Sequence, residues 1–472
     1  MTEGERPAGS GGPGTGTENP MSADRRTLVI AAAAMVVLVG VGVVSSAIFT
    51  RSACRALEPE PVAAPVAGAD VEAVLGGAFD DVDGDVIGQV TERLGTLVGG
   101  RPLSPGVAGD GQLTGAVDVG PAGAVTGLGE GVAATGPRIT AVAGPEGPAT
   151  AVELSDEATI VGDGEHLYAL AVANELTGQL DGIVTIDSQL SGGECFDTAQ
   201  VGVPLPFHLD AGGGQLLLFR IDDDGDNPEV EVRDADGPVW SEPVELGGGP
   251  PGVLAERLTG RLGGDSVVTA RRALVDDRAP ALQVRDRADG SARWERTAAE
   301  LDGLAPAGDQ PLQVGVVEVT DDLVLVGLSR EEQAPVLLVA FDLSDGRSVW
   351  TSDLDAAQLP RSAGTIDDEV VLVAARDVIE DDAQATYEVA RIDTGDGSAR
   401  TLYSAAGRRA SAAVIDSRIV FAVDDEVTRV DPDGTQHAVE LPLPVVDVHA
   451  VDGQVALLLR SSEGGALVWA RP

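Results

Sequence analysis

The chain has 472 residues and a formal net charge of −46, and all of its 31 basic residues are arginine. A charge this negative repels other polyanions over long distances, which argues against nucleic acid as a partner. Aromatic residues make up only 3% of the sequence, so a core must be built chiefly from Val, Leu, Ala and Ile.

The first predicted elements are a tail and a membrane anchor. Residues 1–24 are rich in Gly, Pro and Thr without apolar periodicity, which predicts a disordered cytoplasmic tail. Residues 25–50 contain the uncharged run Leu28–Phe49, and a helix of about 20 apolar residues spans a bilayer. The length of the run and the polar tail before it disfavour the alternative, a cleaved signal peptide. Arg25 and Arg26 favour the cytoplasmic side for the N-terminal end of this helix, so the rest of the chain is expected on the extracytoplasmic side of the membrane.

Residues 51–112 are predicted to form a stalk or linker. Residues 56–70 are rich in Pro, Ala and Val, a composition typical of an extended stalk. Apolar residues at helical spacing between Val71 and Leu97 predict either two short helices or a segment packed against the following domain. That domain is expected to occupy residues 113–472.

One sequence pattern recurs through this domain. An Asp ends an apolar strand, a Gly follows four residues later, and a Trp follows four residues after the Gly. The complete copies are Asp342, Gly346 and Trp350, and Asp286, Gly290 and Trp294. Partial copies are Asp393 and Gly397 with a late Tyr403, Asp234 and Gly237 with Trp240, and Asp431 with Gly434. The pattern is typical of a hairpin in which Asp caps the turn and Gly adopts positive φ.

Each repeat has one turn glycine, so the number of these glycines gives the number of repeats. They are Gly147, Gly193, Gly237, Gly290, Gly346, Gly397, Gly434 and Gly465. The middle spacings suit one four-stranded blade per repeat, whereas the last two are short and predict an incomplete final blade. We therefore predict an all-β propeller of about eight four-stranded blades, with seven as the alternative.

The pattern Asp-x-x-x-Gly-x-x-x-Trp at a strand end resembles the repeat of the pyrroloquinoline-quinone-like (PQQ-like) β-propellers. The resemblance runs from about Leu113 to the C-terminus. This superfamily includes quinoprotein alcohol dehydrogenases and a propeller lipoprotein of the outer-membrane protein assembly machinery. The resemblance implies the fold, but blades of this kind serve both enzymes and scaffolds.

The quinone enzymes of this superfamily hold their cofactor between a Trp and a disulfide of adjacent cysteines, beside a calcium ion. Here the only cysteines, Cys54 and Cys195, are far apart in sequence. The tryptophans are all at the repeat position and are expected to pack between blades; they are Trp240, Trp294, Trp350 and Trp469. The sequence therefore predicts no quinone cofactor and no enzyme.

Two acidic segments share part of their spacing with calcium loops. Asp81, Asp83, Asp85 and Glu92 follow the EF-hand spacing, although Val86 stands where that loop needs Gly. The second segment resembles the calcium hairpins of other propellers and consists of Asp222, Asp224, Asp226 and Glu229. The alternative for both segments is a solvated turn in a very acidic protein.

The cysteines and histidines are the remaining residues that could carry redox or metal chemistry. Cys54 and Cys195 both follow the anchor, so a disulfide is expected in an oxidising compartment, with free thiols as the alternative. The histidines show no spacing typical of a metal site; they are His166, His208, His437 and His449.

These patterns predict a cell-membrane protein with one N-terminal anchor, a cytoplasmic N-terminus and an extracytoplasmic propeller. Its expected function is that of a non-enzymatic scaffold that binds other envelope proteins. The alternative is a small-ligand receptor or enzyme with its site at the mouth of the propeller channel, built from polar groups on the innermost strands.

Overall fold

Eight antiparallel sheets surround one central axis. The structure, a computed structural model, describes residues 60–66, 71–79, 81–99, 113–136, 138–145, 147–153, 159–174, 179–187, 190, 195–197, 203–204, 210–221, 228–234, 237–244, 258–272, 279–305, 311–330, 335–379 and 384–471. The first strand of each sheet lies beside the first strand of the next, and the eighth sheet returns to the first. The fold is therefore an eight-bladed β-propeller, as the repeated turn predicted.

The chain divides into two compact units, Met1–Ser52 and Ala53–Pro472, and every described residue belongs to the second unit. The predicted tail and anchor, residues 1–24 and 25–50, lie outside the described residues. Among the residues that are described, no helix is long and apolar enough to cross a membrane.

Each blade contributes four strands in order from the axis outward. The first strands are β3 (Ala124–Leu128), β7 (Thr159–Gly162), β12 (Asp210–Gly212), β16 (Leu258–Gly263), β20 (Gln313–Val319), β24 (Arg361–Ile366), β28 (Ala410–Ile415) and β32 (Val445–Val451). The second strands are β4 (Gly131–Thr135), β8 (His166–Asn174), β13 (Gln215–Ile221), β17 (Ser266–Arg271), β21 (Leu323–Ser329), β25 (Glu369–Ile379), β29 (Arg418–Val423) and β33 (Gln454–Arg460).

The third and fourth strands complete the blades. The third strands are β5 (Arg138–Val142), β9 (Gln179–Asp187), β14 (Pro228–Asp234), β18 (Pro280–Asp286), β22 (Val336–Asp342), β26 (Gln384–Asp393), β30 (Glu426–Val430) and β34 (Gly465–Ala470). The fourth strands are β6 (Ala149–Glu153), β10 (Cys195–Asp197), β15 (Gly237–Pro243), β19 (Ala292–Thr297), β23 (Ser348–Leu354), β27 (Ala399–Gly407), β31 (Gln436–Glu440) and, in blade eight, β2 (Leu113–Asp118).

The second strands explain the continuous apolar runs in the sequence. Every residue of β17 is buried, and so is every residue of β21 after Leu323. A strand covered by a neighbouring blade on both faces has no solvent side, so its residues need not alternate between apolar and polar. The outer strand β27, by contrast, is exposed or half-buried along most of its length.

Strand β2 closes the ring. It pairs antiparallel with β34, with Asp118 opposite Ala466 and Gly115 opposite Trp469, and so becomes the outer strand of blade eight. The expectation of an incomplete last blade is wrong, because the missing strand comes from the start of the domain. Gly465 consequently begins the third strand of its blade instead of marking a turn before the fourth.

Two blades carry an additional strand. β1 (Glu60–Val62) pairs with β6 at the outer edge of blade one, and Val66 exchanges backbone hydrogen bonds of 3.0 and 2.8 Å with Ala116. β11 (Val203–Pro204) pairs with β13 in blade three. The described part of the predicted stalk therefore lies against the propeller instead of standing free.

The repeated turn has the predicted geometry. In blade five the Asp342 carboxylate accepts the backbone N–H of Ser344 at 2.9 Å, and Gly346 has a φ of 70°. Asp345, one residue before the glycine, also caps the turn by accepting the backbone N–H of Arg347 at 2.8 Å. This second cap recurs at Asp289, Asp396 and Asp433.

Three tryptophans pack between blades, as predicted. Trp350 on β23 donates its indole N–H to the carbonyl oxygen of Thr394 at 2.7 Å, and its ring covers Gly397 in the turn of the next blade. A Cβ at Gly397 would overlap the ring, so this glycine provides both positive φ and space. The equivalent sets are Trp240 with Arg287 and Gly290, and Trp294 with Leu343 and Gly346.

The other aromatic assignments differ from the prediction. Trp469 is fully buried between blades eight and one, but it lies on the third strand of its blade and not at the repeat position on a fourth strand. Tyr403 bonds Glu426 through its hydroxyl and packs on Phe421 at 4.6 Å between ring centroids. Among the described residues, no side chain covers Gly434 in the way that the tryptophans cover their glycines.

Three helices accompany the strands in the described part of the chain. α1 (Val71–Ala78) and α2 (Gly84–Gly99) form a helical hairpin whose apolar side packs against blades seven and eight. Phe79 and Leu94 are fully buried in this contact. α3 (Ala298–Asp302) follows β19 and begins with a capping box formed by Thr297 and Glu300.

Candidate functional site

An open cleft of about 510 Å³ lies at the junction of blades seven and eight. It is on the face where the chain passes from one blade to the next. The turn between β27 and β28 supplies Arg408 and Arg409, and Arg460 ends β33. The loop between α1 and α2 supplies Asp81 and Val82. The helical hairpin thus forms one wall of the cleft, and we call this feature the arginine cleft.

The guanidinium groups of the arginine cleft have no protein partner in the described part of the chain. Arg408 and Arg409 are exposed and Arg460 is half-buried, and none of the three makes an ion pair or a side-chain hydrogen bond there. Acidic residues number 77 against 31 basic residues in the whole chain. Three cations on one cleft that pair with no described residue are available to bind an external anion.

The two carboxylates of the cleft are already hydrogen-bonded. Asp424 accepts the backbone N–H groups of Arg408 and Arg409, each at 3.0 Å, and so fixes the turn that carries both arginines. Asp81 accepts the hydroxyl of Ser462 at 2.7 Å. This bond, with a further one from Ser461, holds the pKa of Asp81 below its usual value, so the carboxylate stays ionised.

The rest of the cleft is apolar. Leu443, Val445 and Val446 line it, each with less than a tenth of its surface exposed, and Pro444 lies among them. Val82 contributes from the helical hairpin. The cleft therefore combines an apolar surface with cationic groups, which suits a ligand that carries both characters.

Local sequence holds the wall of the cleft close to the blade. Gly464, in the turn between β33 and β34, lies so close to α1 that a Cβ would overlap the carbonyl oxygen of Ala78. Its own N–H bonds the hydroxyl of Ser461 at 3.0 Å, and its carbonyl accepts the N–H of Ser461 at 2.9 Å. A glycine is needed here because the helix and the turn approach through their backbones.

Known proteins resemble this chain in fold only. No protein-family model matches the sequence, and no curated protein matches it. BamB from Moraxella catarrhalis aligns with 75% of this chain and 98% of its own, at 14% identity and a TM-score of 0.48. A quinohemoprotein alcohol dehydrogenase from Pseudomonas putida HK5 aligns with 74% of each chain, at 9% identity and a TM-score of 0.45. This level of similarity brings no activity or partner to the chain.

The first calcium candidate segment is divided between the loop before α2 and α2 itself, and calcium binding there stays a prediction. α2 begins at Gly84, so Asp85 and Glu92 lie on a helix, and Asp83 accepts the backbone N–H of Asp85 at 3.0 Å. Asp81 bonds across to blade eight, as described above. Among the described residues, no three His, Cys, Asp or Glu side chains are gathered in a way that could hold a metal ion.

The second calcium candidate segment is described only at its end. Asp222, Asp224 and Asp226 lie outside the described residues. Glu229 pairs with Arg220 and accepts the hydroxyl of Ser241 at 2.9 Å. Calcium binding at this hairpin stays a prediction.

The predicted disulfide also stays a prediction. Cys195 begins β10, the fourth strand of blade two, whereas Cys54 lies outside the described residues. Among the histidines, His208 lies outside the described residues as well. His437 approaches Asp431 at 3.2 Å, and His166 approaches Asp163 at 3.6 Å.

The innermost strands carry a polar group that joins three blades. Asp447 on β32 accepts the backbone N–H of Val125 in blade one at 2.8 Å and the hydroxyl of Ser411 in blade seven at 2.6 Å. His449 lies two residues further along the strand, where burial lowers its pKa and the Asp447 carboxylate partly opposes this effect. These bonds hold neighbouring blades together at the axis.

The arginine cleft was not predicted from the sequence. Its lining comes from five separate segments, and only the folded ring brings them together. The available signal was the pair Arg408-Arg409 directly after Gly407, an adjacent pair of cations within a strongly acidic domain. Such a pair in a turn between blades is an anion-binding candidate even before the structure is known.

Proposed function

We propose that this protein is a membrane-anchored, extracytoplasmic scaffold of the PQQ-like propeller type that binds other envelope proteins through the arginine cleft. The observation that carries this proposal is the presence, beside an apolar surface, of three guanidinium groups that have no partner among the described residues, those of Arg408, Arg409 and Arg460. Arginine at the edge of an apolar patch is typical of the residues that anchor protein interfaces.

The rigidity of the site supports a binding role. The turn that carries Arg408 and Arg409 is fixed by Asp424, and the opposite wall is fixed by Asp81 and by the buried face of the helical hairpin. Because this backbone is already held in place, a partner need order only the arginine side chains when it binds.

Anchoring is proposed from the sequence alone. The uncharged run Leu28–Phe49 with Arg25 and Arg26 at one end supports a single helix with its N-terminus inside. On this arrangement residues 113–472 meet envelope proteins, and Cys54 and Cys195 lie where a disulfide is stable.

A paired capture experiment tests the scaffold. The tagged full-length protein is solubilised in detergent, and co-purified proteins are compared by quantitative mass spectrometry for the parent chain and for Arg408→Gln/Arg409→Gln. The matched control is Arg347→Gln/Arg400→Gln, which removes the same charge. Arg347 precedes β23 and Arg400 lies at the start of β27, so both are at the opposite strand ends from the cleft.

We expect the same set of envelope proteins with the parent and the control, and a depleted set with the cleft variant. If the cleft variant retains every partner that the control retains, the proposal fails.

A further inference from the structure

We propose that the arginine cleft binds a short acidic peptide segment of the partner protein, in which two carboxylates flank an apolar side chain. This inference rests on the proposed scaffold function and names the chemistry that the cleft recognises. It follows from the charges of the cleft, from its apolar surface and from the charge of the whole molecule.

The cations select the charge and geometry of the ligand. Guanidinium groups present paired N–H donors that match the two oxygens of a carboxylate. Arg408 and Arg409 are adjacent in one turn, and Arg460 comes from the next blade, so the cations of the cleft are supplied by two separate segments. Two carboxylates separated along one peptide can therefore be bound at the same time.

The apolar lining selects against a bare anion. Leu443, Val445 and Val446 are largely buried already, and Val82 and Pro444 complete the apolar lining of the same cleft. Inorganic phosphate cannot cover this surface, because it has no apolar group to remove from water. An aliphatic side chain between two acidic residues can cover it.

The net charge selects against a membrane surface. With a formal charge of −46, the protein is repelled by an anionic bilayer across the whole facing area. A short peptide places only its own charges near the cleft, and beyond about 8 Å at physiological ionic strength the remaining acidic residues are screened. An acidic peptide is thus favoured over the headgroups of anionic lipids.

The proposal predicts an unusual salt response. Most cationic sites bind anions more weakly as salt is added, because their long-range attraction is screened. Here the long-range field is repulsive, so moderate salt removes an unfavourable contribution while the short-range hydrogen bonds persist. We expect the affinity at about 150 mM salt to equal or exceed the affinity at about 20 mM.

Direct binding measurements test this inference. The full-length protein in detergent is titrated into a dye-labelled peptide Gly-Glu-Leu-Glu-Gly, and the anisotropy of the dye is followed. The peptide Gly-Gln-Leu-Gln-Gly is the uncharged control, and inorganic phosphate and phosphatidylglycerol vesicles are tested as competitors. Arg408→Gln/Arg409→Gln and Arg460→Gln are compared with Arg347→Gln/Arg400→Gln, and melting curves verify that each variant is folded.

We expect the Glu peptide to bind at least about tenfold more tightly than the Gln peptide, since each lost charge-assisted pair weakens binding by about that factor. Arg408→Gln/Arg409→Gln should lose about the same factor, and the control variant should bind like the parent. Equal binding of the two peptides, or no effect of the cleft variants, would overturn the proposal. Displacement by vesicles or phosphate at lower concentration than by unlabelled peptide would also overturn it.

The two proposals fail in different ways. If the capture experiment depends on the cleft but the Glu peptide does not bind, the scaffold function stands and the acidic-peptide inference falls. If the Glu peptide binds at the cleft but the captured proteins are unchanged in the cleft variant, the scaffold proposal falls and the cleft remains an anion site.

Discussion

At the scale of single residues, the repeat motif has three features that the sequence suggested and one that it did not. The Asp cap and the positive-φ glycine were predictable from their spacing, because few residues other than glycine adopt that backbone conformation. The burial of Trp350 was predictable from its regular recurrence. The hydrogen bond from its indole to the carbonyl of Thr394 was not, because that atom belongs to the next blade.

Replacement of Trp350 tests the packing between blades. Trp350→Ala removes a side chain that is only 8% exposed and leaves the Thr394 carbonyl without its donor. We expect a loss of about 3–5 kcal/mol in the free energy of unfolding, as for other buried large aromatics. Urea denaturation followed by circular dichroism measures this loss. The adjacent Val349→Ala, at a position 43% exposed, should behave like the parent, and equal midpoints for both variants would contradict the inter-blade role.

The aspartates that directly precede the turn glycines should make the stability of the fold depend on pH in the acidic range. Hydrogen bonds in the turns hold the pKa of Asp289, Asp396 and Asp433 below the usual value. A lowered folded-state pKa means that the stabilisation is present above the unfolded pKa and is lost as pH falls through the folded pKa. We therefore expect the melting temperature to fall below about pH 4.

Amide substitutions provide the control for this pH dependence. In Asp289→Asn/Asp396→Asn/Asp433→Asn the side-chain oxygens still accept hydrogen bonds but do not titrate. The drop in melting temperature between about pH 5 and pH 3 should be smaller in this variant. An identical drop would show that other carboxylates set the acid limit.

At the scale of secondary structure, local patterns predicted the strands better than their places in the ring. The apolar runs Leu323–Leu328 and Val336–Phe341 of the sequence are β21 and β22, apart from one residue at an end. The spacing of the last turn glycines wrongly predicted an incomplete blade, because the fourth strand of blade eight, β2, lies at the start of the domain. Spacing along a chain cannot reveal a strand supplied from its other end. The apolar spacing between Val71 and Leu97 predicted either two short helices or a segment packed against the propeller. The structure has both features, and only the structure shows that the contact is with blades seven and eight.

The helical hairpin should contribute to both stability and binding. Leu94 on α2 is fully buried against blades seven and eight, so Leu94→Ala should lower the free energy of unfolding by about 2–5 kcal/mol. Looser packing should also displace the wall of the arginine cleft and weaken binding of the Glu peptide. Glu92→Ala, two residues away and exposed, is the matched control. If Leu94→Ala matches Glu92→Ala in both measurements, the hairpin is not a structural wall of the cleft.

At the scale of the whole molecule, the sequence predicted an eight-bladed all-β ring but not the position of its binding surface. Asp447, a polar group on the innermost strands, joins three blades, and the alternative of a site at the mouth of the channel stays a prediction. The cations that have no partner among the described residues are found at a junction of turns. A cleft assembled from five segments depends on the final arrangement of the blades, which no local pattern encodes.

The proposed topology can be examined with protease in cells whose outer envelope has been permeabilised. We expect residues 113–472 to be digested from outside while the N-terminal tail is spared, because Arg25 and Arg26 favour the cytoplasmic side. Antibodies against a tag at each end identify the fragments, and lysed cells are the control for cleavage at both ends. Protection of the propeller with cleavage of the tail would reverse the assignment.

We also predict that the protein binds no pyrroloquinoline quinone. Trp240, Trp294 and Trp350 are buried against turns of neighbouring blades, so their rings do not offer free faces for a flat cofactor. The full-length protein mixed with quinone and calcium should show no stoichiometric change in absorbance and no dye-linked alcohol oxidation. A quinoprotein dehydrogenase assayed in parallel is the positive control. A stoichiometric quinone complex that oxidises alcohol would contradict the scaffold proposal and show that the protein is an enzyme.

The closure of the ring by β2 has a consequence for biosynthesis. Leu113 pairs with Ala470, so almost the entire propeller must be made before this strand finds its place. Contacts between such distant segments form late, because a long loop must be closed first. Until then the incomplete domain holds an unpaired strand edge and an unfinished helical contact, both prone to aggregation. The arginine cleft spans this closing blade and its neighbour, so it is complete only after the last strands have folded. A partner that binds there can therefore bind only the fully closed propeller.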